Sequence, residues 1–127
     1  VAHSIDLDYN LATLLIQTKR PEKAIDLLEN VARRESPTGP LLFHLGNALA
    51  LSGKTARAIK VLEQSVRVDP KIAQSWMVLG ELYLRDRRNT EAIDALEGFL
   101  LRHDMEDQYS RRARSKIESL KRKSEEQ

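Results

Sequence analysis

The chain has 127 residues, room for one ordinary domain, and contains no cysteine, which excludes disulfides, thiolate catalysis and zinc knuckles. It is 41% hydrophobic and 31% charged, with only five Gly and four Pro, a balance that suits a soluble and mostly helical protein. The net charge is +2, and no apolar run approaches the roughly 20 residues that a membrane helix needs.

Apolar spacing and chain breaks divide the sequence into helices. The first is expected near 6–18, ended by Lys19-Arg20-Pro21, and the second near 21–35, ended by Ser36-Pro37. Gly39-Pro40 opens a third near 39–52, since Pro is tolerated in a first turn, and Ser52-Gly53 closes it. A fourth spans 55–68 and stops at Asp69-Pro70. A fifth, near 73–86, carries Trp76, Leu79, Leu82 and Tyr83 at helical spacing. Asn89 or Thr90 is the expected cap of a sixth, near 89–103, with Ile93, Leu96, Phe99 and Leu100 on its apolar face. A seventh, near 107–123, carries Tyr109, Ala113, Ile117 and Leu120 as one stripe, with charge on its other faces.

These helices repeat. Ala24, Ala58 and Ala92 stand 34 residues apart, as do Ile25, Ile59 and Ile93, then Leu28, Leu62 and Leu96, then Glu29, Glu63 and Glu97, and upstream Leu11, Leu45 and Leu79. Beside the last set come Ala12, Gly46 and Gly80. A fixed period of this size means a solenoid whose units bury their faces by stacking. Gly inside a helix costs about 1 kcal/mol against Ala. Gly46 and Gly80 are therefore expected where two helices approach closely, opposite Ala58 and Ala92.

Trp76, Leu79, Gly80 and Tyr83, followed by Ala92 and Leu96, reproduce W-x-x-L-G-x-x-Y with its downstream small and large apolar positions. The chain thereby resembles the tetratricopeptide repeat family. The second copy matches with Leu42, Leu45, Gly46, Leu49, Ala58, Leu62 and Pro70; the first departs, with Asp8 at the Trp position and Ala12 at the Gly position. The resemblance implies an all-α fold: a right-handed α-solenoid of three antiparallel helical hairpins with a capping helix. The repeats would occupy 5–38, 39–72 and 73–106, followed by a basic capping helix and polar tail over 107–127.

In the family, the first helix of each hairpin lines a concave groove through positions 2, 5, 6, 9, 12 and 13. Carried over, the groove residues are Tyr9, Asn10 and Thr13; Phe43, His44 and Asn47; Met77, Val78 and Glu81; and Arg111 and Arg112 at one mouth, placed to receive a carboxylate. The aligned row Tyr9, Phe43, Met77 suits a peptide or an amphipathic helix, although the same side chains could simply pack between neighbouring first helices. One use known in the family, a five-residue clamp for chaperone C-terminal carboxylates, finds Tyr9, Thr13, His44, Gln74 and Val78 at its positions, and none matches.

No nucleophile elbow, paired carboxylates or phosphate loop stands out, and the three histidines are far apart, so neither a catalytic residue, a metal ligand nor a cofactor is expected. Residues 107–127 hold seven basic and four acidic residues, and the rest of the chain 14 and 15, so the basic character resides in the cap. RRARSK lacks interleaved aromatics, which argues for a solvated face over a nucleic-acid site. The expected function is a non-catalytic protein–protein interaction module, an adaptor or scaffold holding a peptide or helical segment. The rivals are an architectural or self-associating repeat segment of a larger protein, in which homo-oligomers form, and a basic-helix nucleic-acid binder. The start at Val1 reads as a processed or excised piece; no membrane association is expected, and the cytoplasm is the favoured compartment.

Overall fold

The computed structural model describes residues 5–126, excluding the side chains of residues 5–7 and 9. Among the described residues the secondary structure is helical throughout: α1 (Ile5–Gln17), α2 (Pro21–Arg34), α3 (Gly39–Leu51), α4 (Thr55–Val68), α5 (Ala73–Arg85), α6 (Asn89–Arg102) and α7 (Gln108–Glu125). Each boundary lies within two residues of the one expected from the sequence. The helices form two compact units, Val1–Pro70 and Lys71–Gln127.

In the first unit, α1 pairs with α2 and α3 with α4, and α2 packs on α3. The core is built from the repeated positions: Ala12, Ala24, Ile25, Leu28, Leu45, Ala58, Ile59 and Leu62 are all buried. Burying a Leu or Ile contributes about 1.5–3 kcal/mol, so these repeated positions do much to hold the hairpins shut. The buried Ser65 hydroxyl donates to the Gly39 carbonyl at 3.1 Å and ties the end of α4 to the start of α3. In the second unit, α5 pairs with α6 and α7 packs on α6. Leu96 and Phe99 meet Ala113 and Ile117 there, with Trp76, Met77, Ile93 and Leu100 packed around them.

The three hairpin turns share one geometry. Lys19, Gly53 and Arg87 stand 34 residues apart and all adopt positive φ, at 62°, 77° and 59°. In each, the next residue's N–H reaches back to close the helix: Arg20 to Leu15, Lys54 to Leu49 and Arg88 to Tyr83, at 2.7–2.9 Å. This left-handed closure satisfies carbonyls that the helix end leaves open.

Two local expectations are corrected. The cap of α6 is Arg88, not Asn89 or Thr90, and its side chain makes no capping bond. Arg87 reverses the chain one residue earlier, and the Arg88 guanidinium pairs with Glu91 and lies 4.7 Å over the Tyr83 ring. Gly39-Pro40 opens α3 as expected, and Thr38 ahead of it caps the helix by accepting the Leu41 N–H. Gly46 and Gly80 do not face Ala58 and Ala92: a Cβ on Gly46 would lie 2.5 Å from Leu62 Cγ, and one on Gly80 2.9 Å from Leu96 Cδ2 and 3.6 Å from Ala95 Cβ. Ala58 and Ala92 lie one turn earlier on the partner helices, so the contact is large into small rather than small against small. Gly98 makes a third such contact, with the Trp76 ring.

Candidate functional site

In the second unit, α5 and α7 each pack on α6, and the wedge between them opens as a cleft of about 490 Å³. Met77, Glu81 and Leu84 supply its α5 wall, spaced four and three residues apart so that they share one helix face. Tyr109, Arg112 and Lys116 stand on the α7 wall, and Leu96 and Ala113 contribute the apolar lining from the packed core. The volume lies within the range typical of ligand sites.

The wall of α7 is positioned by its own cap. Asp107 accepts the backbone N–H groups of Tyr109 and Ser110, each at 3.0 Å, while the Ser110 hydroxyl accepts from Asp107 N at 2.9 Å, a reciprocal capping box. His103, stacked on Phe99 with ring centroids 4.7 Å apart, places Nε2 2.8 Å from Asp107 Oδ2. The Ser110 N–H, the His103 ring and the Tyr109 N–H together hold the Asp107 carboxyl below its ordinary pKa. The His103–Asp107–Ser110 set is therefore a structural joint between α6 and α7: the serine hydroxyl is bonded to backbone, donating to the Asp107 carbonyl at 2.9 Å, rather than aimed at a reactant.

This cap also corrects the expected stripe of α7. The buried residues are Ser110, Ala113, Ile117 and Leu120. Tyr109 lies one residue round the helix, exposed, with its ring at the cleft.

Charge in the cleft is uncompensated. Glu81, Arg112 and Lys116 make no ion pair among the described residues. Elsewhere in this unit some cations are engaged, Arg114 with Glu106, Lys121 with Glu97 at 3.2 Å, Arg88 with Glu91, and Arg102 lying 4.3 Å over the Trp76 ring, while Arg111 and Arg122 are exposed without an ion pair among the described residues. The basic run of α7 is thus partly neutralised on its outer side and left open toward the cleft.

Of the groove residues expected from the sequence, Met77, Glu81 and Arg112 come together here. Val78 is half-buried on α5 outside the lining, and Arg111 is exposed on α7, also outside it. Phe43, His44 and Asn47 are half-buried on α3 of the first unit. The Phe43 and His44 rings meet edge-on at 5.2 Å, and burial pushes the His44 pKa down. Thr13 is half-buried and Asn10 exposed on α1, while the Tyr9 side chain lies outside the described residues. Tyr109 and Lys116 line the cleft but were not among the groove residues expected from the sequence. The signal for Lys116 was its i+4 spacing from Arg112; Tyr109 carried none, because at the start of α7 only the cap decides which side chain turns inward.

Among the described residues no group of His, Asp and Glu could hold a metal ion, and no helix is long and apolar enough to cross a membrane.

The family model described as tetratricopeptide repeat matches residues 42–106, just over half of the sequence. The chain belongs to the tetratricopeptide repeat family. Its resemblance to human protein O-mannosyl-transferase TMTC1 is 25% identity over 97 residues, which is 76% of this chain and 11% of that protein. This chain therefore spans a small part of that relative's length. Among solved structures, the tetratricopeptide domain of Sgt2 from Aspergillus fumigatus superposes with a TM-score of 0.81 at 24% identity, covering 96% of this chain and 80% of that one. The Yersinia enterocolitica type III secretion chaperone SycD, in complex with a peptide of the translocator YopD, superposes with a TM-score of 0.86 at 19% identity, covering 98% and 97%. At these identities the likeness is one of fold: three helical hairpins and a final helix.

Proposed function

We propose that this tetratricopeptide chain is a non-catalytic interaction module that holds a peptide or helical segment in the cleft between α5 and α7. The observation that carries this reading is the cleft's composition. An apolar wall of Met77, Leu84 and Leu96 faces Tyr109, and Arg112 and Lys116 stand on the rim with no partner of their own. Methionine adapts to irregular apolar shapes, and a tyrosine ring offers a flat anchor at small entropic cost. Two cations against one carboxylate favour a segment in which an apolar anchor is followed by an acidic side chain or a chain-terminal carboxylate. The peptide-bound state of the similar fold in SycD supports this mode of use. The repeat bounds 5–38, 39–72 and 73–106, with a capping segment over 107–127, belong to the same proposal.

Selection of a random-peptide library displayed on phage against the immobilised chain tests it. Enriched sequences are expected to pair an apolar residue with Asp or Glu. They should lose capture by Met77→Asp and by the double variant Arg112→Glu/Lys116→Glu. Absence of enrichment, or enriched peptides that still bind both cleft variants, would overturn the reading.

A further inference from the structure

The run Arg111-Arg112-Ala113-Arg114-Ser115 ends in a hydroxyl that the binding reading leaves unused. Ser115 is exposed on α7 and lines the cleft, with Arg112 three residues before it and Lys116 next to it. Residues three apart on a helix are surface neighbours, so the Arg112 guanidinium and the Ser115 hydroxyl share one face. Among the described residues the Ser115 hydroxyl makes no hydrogen bond, whereas that of Ser110, 2% exposed, donates to the Asp107 carbonyl.

Sequence and position agree at this residue. Arginine-directed kinases choose substrates by charge pattern, reading cations ahead of the acceptor, above all at the third residue before it. Ser115 has Arg112 at that place, Arg111 ahead of it and Arg114 beside the acceptor, all exposed. Two other serines of α7 meet only one criterion each. Ser119 lines the cleft but follows Glu118, whose carboxylate opposes an acidic kinase groove. Ser124 follows Lys121-Arg122-Lys123 but stands about 13 Å further along the helix, outside the lining. α7 packs chiefly on α6, through the narrow stripe of Ala113, Ile117 and Leu120, so its local opening to a kinase exposes little apolar area.

The geometry points to Ser115 as a phosphoacceptor whose modification turns the cleft from accepting anions to repelling them. In the transfer, Ser115 Oγ bonds to the γ-phosphorus of ATP as the bridge to the β-phosphate breaks; ADP leaves and the hydroxyl proton passes to the kinase's base. The charged side chains lining the unmodified cleft are Arg112, Lys116 and Glu81, a net of +1. A phosphoserine carries about −1.5 to −2, which reverses that sign. Arg112 and Lys116 then neutralise the phosphate instead of an incoming carboxylate, and Glu81 faces it from α5. The switch rests on the cleft being the binding site; the acceptor site does not.

The test has a labelling arm and a binding arm. An arginine-directed serine kinase that labels a free peptide of residues 108–119 is given ATP and the folded chain. Mass spectrometry should find phosphate on Ser115, absent in Ser115→Ala and largely lost in Arg112→Gln. No label on the peptide with any such kinase, or a labelled peptide with a folded chain unlabelled at Ser115, overturns the site. For binding, chains carrying phosphoserine at 115 or at 124, installed during translation, are titrated with acidic peptides selected against the unmodified chain. Phosphate at 115 should weaken binding about tenfold or more and should favour the same peptides with Lys in place of Asp or Glu. Phosphate at 124 should change neither, and all chains should keep the same helical circular dichroism. Unchanged binding with phosphate at 115, an equal loss with phosphate at 124, or a loss that accompanies unfolding of α7 overturns the switch. Peptides that bind no form of the chain overturn the cleft reading and the switch with it, and the labelling arm still decides Ser115.

Discussion

Arg34, near the end of α2, reaches the buried carboxylate of Asp8 on α1. The same two positions of the repeat are Leu42 with Val68 in the second copy and Trp76 with Arg102 in the third, where the guanidinium lies 4.3 Å over the ring. The same two positions thus carry an ion pair in the first copy, two aliphatic residues in the second and a cation–π pair in the third. Removing one partner of a buried pair strands the other charge, at about 3–5 kcal/mol when burial is complete. The Arg34 side chain is 30% exposed, so a smaller cost is expected. Arg34→Met should destabilise by about 2–3 kcal/mol, against less than about 1 for Arg57→Met, whose pairing with Glu29 is exposed. Asp8→Leu/Arg34→Val, which copies the second repeat, should recover most of that loss. Urea denaturation of the three variants checks all of this.

The left-handed turn residues give opposite signs for related changes. Gly53 sits at φ 77°, where a Cβ costs about 1 kcal/mol, so Gly53→Ala should destabilise by about that amount. Lys19 and Arg87 already bear that strain. Arg87→Gly should stabilise by about 0.5 kcal/mol, after the extra freedom that glycine gives the unfolded chain, and should also sacrifice no ion pair among those described. Melting temperatures of the single variants decide the signs.

Phe43 and Leu45 separate surface from core on one helix. Leu45 is buried, and Leu45→Ala should cost about 2–5 kcal/mol through the cavity it leaves. Phe43 is half-buried, so Phe43→Ala should cost clearly less, about 1 kcal/mol. The row of Phe43 and Met77 is not wholly outside the fold: Met77 packs against the core of its unit while lining the cleft. Met77→Ala should therefore lower stability by about 1 kcal/mol and also weaken capture of selected peptides. Paired thermal melts and binding titrations read both effects. A Phe43→Ala variant that melts as early as Leu45→Ala would make that residue core.

Acid should loosen α7 first at its cap. The Asp107 carboxyl is held below its ordinary value of 3.8, chiefly by the Ser110 N–H. Its folded pKa is lower than its unfolded one, so its contribution is complete above the unfolded value and is lost as pH falls through the folded one. Hydrogen exchange in the first turn of α7 should quicken on acidification below pH 3.8, and Asp107→Asn, which retains a capping oxygen, should remove most of that dependence. Comparing the two chains at each pH cancels the titration of the other carboxylates.

What the sequence determined by itself was the period and everything the period implies. Alanine at 24, 58 and 92, with Leu at 28, 62 and 96, recurs because every hairpin buries the same stripe, and burial is written directly into residue type. Helix ends followed equally, since Pro21, Gly53 and Pro70 act on the chain locally. Tertiary structure alone decided which surfaces stayed open and what each small residue faces. Gly46 and Gly80 had to meet something, but the crossing of two helices determined that Leu62 and Leu96, not Ala58 and Ala92, come nearest. Leu11 and Leu45 are the same residue in the same register, yet one is 46% exposed and the other 6%, and α2 packs on α3. The cleft of Met77, Arg112 and Lys116 likewise depends on residues more than 30 positions apart, brought together because α5 and α7 share one support, α6, and leave the space between them unfilled.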